Sequence, residues 1–518
     1  MHGLDVASIT VFALVFLLVT VLGFLAARWK RGDLSALDEW GLGGRQFGTL
    51  VTWFLVGGDF YTAYTMIAVP ALVYGTGAAG FFALPYTIIV YPFVFLTMPR
   101  LWSVSQKHGY ITPADFVRGR YGNRTLATAV AVTGILAIMP YIALQLAGMA
   151  TVLAQMGLTG AAVWQRDLPV TIAFLILAFY TYSSGLRAPA MIAIVKDILI
   201  YIVVLTLIIV LPIRLGGYAH IFQSATAFWT SHGTTALLIL QPKDYSAYAS
   251  LALGSALAAF MYPHTITTML SSGSGRVIRK NAVLLPAYTF LLGLIALLGI
   301  VGAAAGLQVA SPSYVVPELI SRFFPASFAG LCFAAIAVAA LVPAAIMSIA
   351  AANLFTRSIY KEFWNPVATG AQQSRVAKNT SALVKFGALV FFFLLPHTFI
   401  INLQLLGGLW ILQTFPAIVF GLWKRHFHHH ALLAGWAVGM VSGTMMVTSL
   451  HMRSSVFAVH LLGRTVALYA GIWGLLLNLL TVSCLSKVCD RWGAPRGKDE
   501  TLREEYELEE KVPSFAHD

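Results

Sequence analysis

The chain has few charged residues. Only 10% of its 518 residues are Asp, Glu, Lys or Arg, whereas soluble domains carry about 25%, and 58% of its residues are hydrophobic. Apolar runs of 18 or more residues recur from end to end, and each is long enough to cross ~30 Å of hydrocarbon. We therefore predict an all-α membrane protein, because barrel strands would be only about ten residues long and would alternate.

Other absences narrow the function. The three cysteines, Cys332, Cys484 and Cys489, lack a disulfide or metal-ligand spacing and are interpreted as packing residues. The nucleotide-binding pattern G-x-x-x-x-G-K-[ST] does not occur, which argues against ATP-driven pumping. No convincing set of nucleophile, base and orienting residue occurs, so an enzyme is not predicted. Any energy coupling is expected to come from an ion gradient.

The net charge of +13 follows the predicted sides of a membrane rather than a nucleic-acid surface. With the N-terminus outside and the C-terminus inside, 26 of the 33 Lys and Arg lie in cytoplasmic segments and six lie outside. We predict a multi-pass protein of the cell membrane with thirteen spans, namely 8–29, 49–75, 79–103, 125–156, 168–184, 188–213, 248–270, 281–306, 327–356, 381–396, 399–423, 431–450 and 464–486.

Two of these spans, five helices apart, are predicted to be interrupted. Span 49–75 contains the pair Gly57 and Gly58 and, further on, Pro70, and span 248–270 contains Pro263. Such a pair of broken helices is typical of transporters built from inverted repeats, in which freed backbone groups bind substrate and ion near the midplane. The alternative is the ordinary tolerance of membrane helices for Gly and Pro.

Several polar side chains accompany these interruptions. Asp59 lies in the apolar half of a span, where a carboxylate usually faces a cavity or a partner; capping of freed amides is the alternative. His264 follows Pro263 and could contact substrate or a proton, or simply pack. Tyr61, Thr62 and Thr65 supply hydroxyls around the first break. These five residues are the candidate substrate-binding residues.

Motifs along nearly the whole chain resemble the sodium/solute symporter family. They are "GLGGRQFG" (41–48), "TPADFVRGRYG" (112–122), "GLRAPAMIAIVKD" (185–197), "YPHTITTML" (262–270) and "PAAIMSIAAANLFTRSIYKEF" (343–363). Within the family, "GGDFYTAYTMIAVPA" (57–71) looks most like the monocarboxylate permease branch. The order and spacing of these motifs carry the resemblance.

The resemblance implies about 13 transmembrane helices with a five-plus-five inverted repeat of the amino-acid transporter (LeuT-like) type. The implied divisions are an accessory helix and loop (1–48), a first repeat (49–214), an extracellular loop and second repeat (215–423), two accessory helices (424–486) and a charged cytoplasmic tail (487–518).

The implied function is secondary active import of short-chain monocarboxylates such as lactate, pyruvate or acetate, coupled to Na⁺ or H⁺ by alternating access. A symporter for an amino acid, pantothenate or another small organic solute is the alternative, and a solute sensor is a remote one. The expected partners are the solute and the lipid bilayer, and a protein partner is left open.

The resemblance also implies a Na⁺ site, with no other cofactor. Its ligands fall at the carbonyls of Gly58, Tyr61 and Ala345 and the hydroxyl of Ser348. The next position, usually Ser or Thr in the family, is Ile349, which supplies no side-chain oxygen to a hard cation. Either Na⁺ binds with one ligand replaced, or a proton is used instead.

Overall fold

Helices make up nearly all of the regular structure. The computed structural model describes residues 5–29, 32–160, 163–394, 400–424, 426–461 and 463–507. Residues 395–399, which include the adjoining ends of the predicted spans 381–396 and 399–423, lie outside the described part of the chain. Residues 508–518 of the predicted cytoplasmic tail lie outside it as well.

The first half of the described chain contains the helices of the predicted first repeat (49–214), two helices before it and one after it. In chain order they are α1 (Val6–Leu25), α2 (Leu37–Leu42), α3 (Thr49–Phe60), α4 (Val69–Thr76), α5 (Ala83–His108), α6 (Pro113–Tyr121), α7 (Arg124–Gln155), α8 (Val163–Ser184), α9 (Arg187–Arg214) and α10 (Tyr218–Ser231).

The second half continues with helices of 4 to 30 residues. They are α11 (Tyr245–Ala259), α12 (Pro263–Leu270), α13 (Gly275–Leu284), α14 (Pro286–Ala304), α15 (Val315–Phe323), α16 (Ala326–Phe355), α17 (Gly370–Leu394), α18 (Ile400–Leu412), α19 (Phe415–Ile418), α20 (His429–Ser449) and α21 (Ala470–Arg491).

Ten helices among the described residues are long and apolar enough to cross a membrane. An eleventh span arises if Gln404–Leu412 and Phe415–Leu422, which meet at 41°, are taken as one. The remaining predicted spans, 49–75 and 248–270, are each divided into helices too short to pass by length alone. The count of thirteen and the inverted repeat therefore stay predictions.

The last predicted span, 464–486, begins later in the structure. Residues Arg464–Tyr469 form strand β2, which pairs antiparallel with β1 (Val456–Leu461), and the helix starts at Ala470. The β-branched and aromatic residues of "RTVALY" suit a strand. Gly463 in the connection has φ 76°, a conformation that glycine adopts without strain. The predicted span included strand β2 because the strand and the helix that follows it are both apolar.

Both predicted helix interruptions are present in the structure. The first begins at Tyr61 (φ −87°, ψ 90°), after which a π-helical turn, Tyr64–Ala68, leads into α4. The second begins after α11, and Pro263 starts α12 at the position where its missing N–H costs nothing. Because α3 continues through Gly57 and Gly58 to Phe60, these glycines do not make the break.

The centre of the bundle is α16, whose most apolar 18-residue window is completely buried. It packs against α1, α7, α9 and α17. Its many alanines, between Ala334 and Ala352, leave little side-chain volume, which allows close approach of neighbouring helices. This buried helix carries two of the predicted Na⁺ ligands, Ala345 and Ser348.

Candidate functional site

A small buried cavity lies where the two helix interruptions meet. Its walls come from α3 and the turn after it, from α11 and α12, and from α5, α7, α18 and the end of β2. The lining residues are Asp59, Phe60, Tyr64, Tyr86, Tyr141, Ser255, Ala258, Ala259, Tyr262, His264, Thr265, Gln404, Leu405, Gly408 and Tyr469. No Lys or Arg lines it among the described residues. We refer to it as the Asp59 cavity.

Asp59 lies one residue before the end of α3 and is almost completely buried. Its Oδ2 accepts a hydrogen bond from the Thr265 hydroxyl at 3.2 Å and lies 3.7 Å from His264 Nε2. The amide of Ala63, freed by the break, instead donates to Gln145 Oε1 at 2.9 Å. Among the described residues no backbone amide donates to Asp59, so this structure does not support the capping alternative.

Three polar atoms at the cavity lack a hydrogen-bond partner among the described residues. They are Asp59 Oδ1, His264 Nδ1 and Gln404 Oε1, which come from three different helices. A buried polar atom without a partner costs about 1–3 kcal/mol. A solute that donates and accepts hydrogen bonds would recover this cost.

The His264 ring is held between aromatic side chains. Its centroid lies 5.4 Å from that of Tyr141 and 5.1 Å from that of Tyr262. The Tyr262 hydroxyl donates to the backbone carbonyl of Gln404 at 3.3 Å, which ties α18 to the second break. These contacts position the imidazole at the N-terminal end of α12, which carries a partial positive charge.

The hydroxyls of the other three candidate substrate-binding residues bond within the protein. Tyr61 donates to the backbone carbonyl of Tyr288, and Thr65 donates to the carbonyl of Phe60 at 2.6 Å. Thr62 accepts from the amide of Tyr64 at 3.0 Å. None of the three lines the Asp59 cavity, so the structure brings only Asp59 and His264 of the five together there.

On another side of the first break, a lysine contacts the carbonyls predicted to bind Na⁺. Lys196 Nζ donates to the carbonyl oxygens of Gly58 at 2.6 Å and Tyr61 at 3.0 Å. It also lies 2.9 Å from Asp197 Oδ1, and both charged side chains have 0% exposure. The other carboxylate oxygen of Asp197 accepts from the Tyr288 hydroxyl at 2.7 Å. We call Lys196, Asp197 and Tyr288 the Lys196 cluster.

The glycine pair in α3 permits this cluster to form. A Cβ at Gly57 would lie 2.2 Å from the Tyr288 ring, and a Cβ at Gly58 would lie 2.9 Å from Lys196 Nζ. Real Cβ atoms do not approach other atoms so closely. Gly57 and Gly58 are thus required for the close approach of α9 and α14 to α3, rather than for the helix interruption itself.

The α16 side of the predicted Na⁺ site is also hydrogen-bonded within the protein. Ser348 Oγ donates to the Ala345 carbonyl at 2.8 Å and accepts from Ser381 Oγ at 3.2 Å. Ser381 in turn accepts from Lys385 Nζ at 2.8 Å. Ile349 is completely buried. The four predicted ligands therefore all hold contacts inside the protein, and they do not fit a bound Na⁺ in this arrangement.

The Asp59 cavity is narrow, at about 30 Å³, which is room for about two water molecules. A larger space of about 570 Å³ follows the other half of the first broken helix and the C-terminal half of α7. Ala63 lines this larger space, and the next residue, Tyr64, lines the cavity. A solute bound in the cavity would need the side chains there to move apart.

Several residues at the site were not anticipated from the sequence. Gln404, Tyr288, Ser381 and Gln145 belong to none of the motifs and were not predicted as site residues. Neighbours on a helix project about 100° apart, so the sequence alone favours pairing of Lys196 and Asp197 with other helices rather than with each other. Their side chains instead also meet each other. Gln404 could have been found from its position, because a polar side chain within an apolar span usually faces the protein interior or a cavity.

The fold and the cavity between two broken helices define a membrane transporter of the secondary active class. The sequence profile of the sodium:solute symporter family matches residues 40–439. The chain belongs to this family, which is a family of transporters and not of enzymes. Na⁺ is the coupling ion that family membership implies.

Individual relatives agree with this assignment. The chain is 56% identical, over 91% of its length and 95% of the relative, to a monocarboxylate transport permease protein of Rhizobium johnstonii. It is 32% identical to an uncharacterized symporter, YodF, of Bacillus subtilis, with 93% of each chain covered. A solved structure of a Na⁺-coupled sialic acid symporter, in a substrate-bound outward-open state, superposes with TM-score 0.74 at 14% identity, covering 96% of this chain and all of that one. The last comparison shows the fold alone.

Proposed function

We propose that this chain is a secondary active symporter that imports short-chain monocarboxylates such as lactate, pyruvate and acetate. The observation that carries the proposal is the set of three unpartnered polar atoms at one small cavity, Asp59 Oδ1, His264 Nδ1 and Gln404 Oε1. The two unpartnered oxygens accept hydrogen bonds, so they suit the hydroxyl of lactate or a carboxyl group that carries a proton, and His264 Nδ1 can donate to a carboxylate oxygen. The name of the 56%-identical relative supports the same class of solute.

The size of the cavity favours a small acid over a larger solute. With no Lys or Arg among the described lining residues, a carboxyl group would be held by hydrogen bonds and by the N-terminal end of α12. Because like charges repel strongly in a buried site, the solute carboxyl and that of Asp59 would have to share a proton, and a second solute carboxylate would find no counter-charge. A dicarboxylate is therefore not expected to be transported.

Transport would proceed by alternating access around the two interruptions. The half-helices on either side of each break can tilt separately, because no continuous ladder of hydrogen bonds joins them. The Asp59 cavity would then open alternately to each side of the membrane. The N-terminus is placed outside and the C-terminus inside in this proposal, from the distribution of Lys and Arg.

Uptake of labelled pyruvate into proteoliposomes tests the proposal. The purified protein is reconstituted, and a Na⁺ gradient and a pH gradient are imposed separately, with no other energy source. Concentrative uptake under at least one gradient is expected, and excess unlabelled lactate or acetate should compete. Equilibration without accumulation under both gradients would exclude the symport mechanism.

Competition by other solutes separates the alternative substrates. Unlabelled proline or pantothenate should leave pyruvate uptake unchanged, as should the dicarboxylate succinate. Stronger inhibition by an amino acid or by pantothenate than by lactate would assign the chain to the alternative class of solutes. Liposomes without protein provide the baseline for passive entry of the protonated acids.

A further inference from the structure

We propose that the ammonium group of Lys196 is a built-in cation that fills the position predicted for Na⁺ at the first helix break. The chain would then bind no Na⁺ at the carbonyls of Gly58 and Tyr61. Although this inference rests on the proposed cation-coupled transport, it concerns cation binding alone, so its test needs no transported solute.

Lys196 makes two hydrogen bonds and one ion pair. An ammonium group has three N–H donors and no acceptor. Three oxygens surround Nζ, namely those of Gly58 at 2.6 Å, Tyr61 at 3.0 Å and Asp197 at 2.9 Å. Two neutral carbonyls and one carboxylate form the type of oxygen shell that a hard cation also prefers. The lysine side chain thus takes the place of a metal ion.

The surrounding structure favours the lysine as the permanent occupant. Lys196 lies on α9, which packs against α3, α14 and α16. Its side chain has 0% exposure, so the surrounding helices enclose it completely. Gly58 offers no side chain, and a Cβ there would lie only 2.9 Å from Nζ. A Na⁺ ion at the same carbonyls would lie within a few ångströms of a like charge, which a buried site disfavours strongly.

The α16 side gives independent support. Ser348 is held by Ala345 and Ser381, and a second buried lysine, Lys385, donates to Ser381. The neighbouring Ile349 contributes no oxygen. An isoleucine in place of the family's usual Ser or Thr at this position is expected if no Na⁺ binds between α3 and α16. On both sides of the predicted site, therefore, groups of the protein occupy the oxygens or replace the ligands that Na⁺ would need.

Na⁺-specific stabilisation of the purified full-length protein provides the test. Thermal unfolding is followed by tryptophan fluorescence in NaCl, KCl and choline chloride at one ionic strength, together with binding of ²²Na⁺. A ligand that binds only the folded state raises Tm. We expect wild type to have the same Tm in all three salts and to show no saturable ²²Na⁺ binding.

Removing the ammonium group should create a Na⁺ site. Lys196→Ala and Lys196→Gln leave the two carbonyls and Asp197 without their cation, so each variant should gain a Tm increase specific to Na⁺ and saturable ²²Na⁺ binding. Arg187→Ala is the matched control, because it removes a buried charge from the same helix that pairs with Glu39 and contacts neither Gly58 nor Tyr61, and it should gain neither.

Two results would overturn the proposal. One is Na⁺-specific stabilisation or saturable ²²Na⁺ binding by wild type, which decides the question even if neither Lys196 variant folds. The other is a folded Lys196 variant with no more response to Na⁺ than wild type. Failure of pyruvate uptake would leave this inference unaffected and would count only against the proposed solute.

Discussion

The Asp59 cavity and the Lys196 cluster lie on different sides of the same helix break, yet their polar atoms are paired very differently. In the cluster, the lysine has three oxygen neighbours and Asp197 also accepts from Tyr288. In the cavity, Asp59 Oδ1, His264 Nδ1 and Gln404 Oε1 have no partner among the described residues. Asp197 Oδ1 has no hydrogen bond within the described part of the chain but lies 2.9 Å from the opposite charge of Lys196, whereas the three cavity atoms have no such counter-charge. A paired buried charge indicates a part that holds the fold, and unpartnered atoms grouped at one cavity indicate a part that waits for a ligand.

The largest effect is expected from removing the negative charge of the Lys196 cluster. Asp197→Asn leaves a buried ammonium without its counter-charge, which costs about 3–5 kcal/mol. We expect a strong loss of folded protein, measured by thermal unfolding in detergent. The double variant Lys196→Met with Asp197→Asn should recover much of that loss. A double variant as unstable as the sum of the two single variants would show that the pair is not coupled.

Asp59→Asn should separate function from stability. Because Oδ1 has no partner and Asn retains an acceptor for Thr265, the free energy of unfolding should change by less than about 1 kcal/mol. Concentrative uptake of pyruvate should fall at least about tenfold, which corresponds to about 1.4 kcal/mol of lost stabilisation. Both quantities are measured on the same preparation.

Thr265→Val serves as the control for Asp59→Asn, because it removes only the hydrogen bond to Oδ2. It should lower uptake much less than Asp59→Asn does. Accumulation at the wild-type level by Asp59→Asn would assign Asp59 to the structural part of the molecule and would erase the contrast with the Lys196 cluster.

Gln404→Leu should also weaken pyruvate uptake, but less than Asp59→Asn does. The change removes an unpartnered buried oxygen, which costs about 1–3 kcal/mol when left unpaired, so Tm should be unchanged or higher. Half-saturation of pyruvate uptake should require severalfold more solute, since one polar contact is lost.

Gln413→Leu is the matched control for Gln404→Leu. Gln413 donates to the backbone carbonyls of Leu409 and Gly471, so its replacement should lower Tm. Lower Tm with unchanged uptake in Gln404→Leu would contradict the assignment.

The smallest effect is expected from restoring a hydroxyl at position 349. With Lys196 in place, Ile349→Thr should leave the response of uptake and Tm to Na⁺ unchanged, because the carbonyls of Gly58 and Tyr61 remain occupied. Combined with Lys196→Ala, it should increase ²²Na⁺ affinity beyond that of Lys196→Ala alone. A Na⁺ response in Ile349→Thr by itself would mean that Lys196 does not keep the ion out.

Much of the fold could be predicted from local pattern. Long apolar runs predicted the ten long helices, and Pro263 correctly indicated the second interruption. The pair Gly57 and Gly58 was misleading, because glycine in a membrane helix serves close packing as often as a break. The hairpin before Ala470 was missed because apolar strands and apolar helices look alike over six residues.

The candidate site was predicted only in part. Asp59 and His264 stood out because ionisable groups are rare in apolar spans, and the structure places both at one cavity. The hydroxyls of Tyr61, Thr62 and Thr65 were equally visible, but all three bond locally. A hydroxyl satisfied by a nearby backbone group and one that faces a cavity look the same in sequence.

By itself, the sequence determined that this protein crosses a membrane, belongs among the sodium:solute symporters and has broken helices at two places, because composition, motifs and proline act locally. Only the tertiary structure decided which cation sits at the first break. Lys196 and Gly58 are 138 residues apart, and their contact depends on the packing of α9 against α3. A charge buried between helices takes whichever partner the fold brings within reach, and no local pattern specifies that partner.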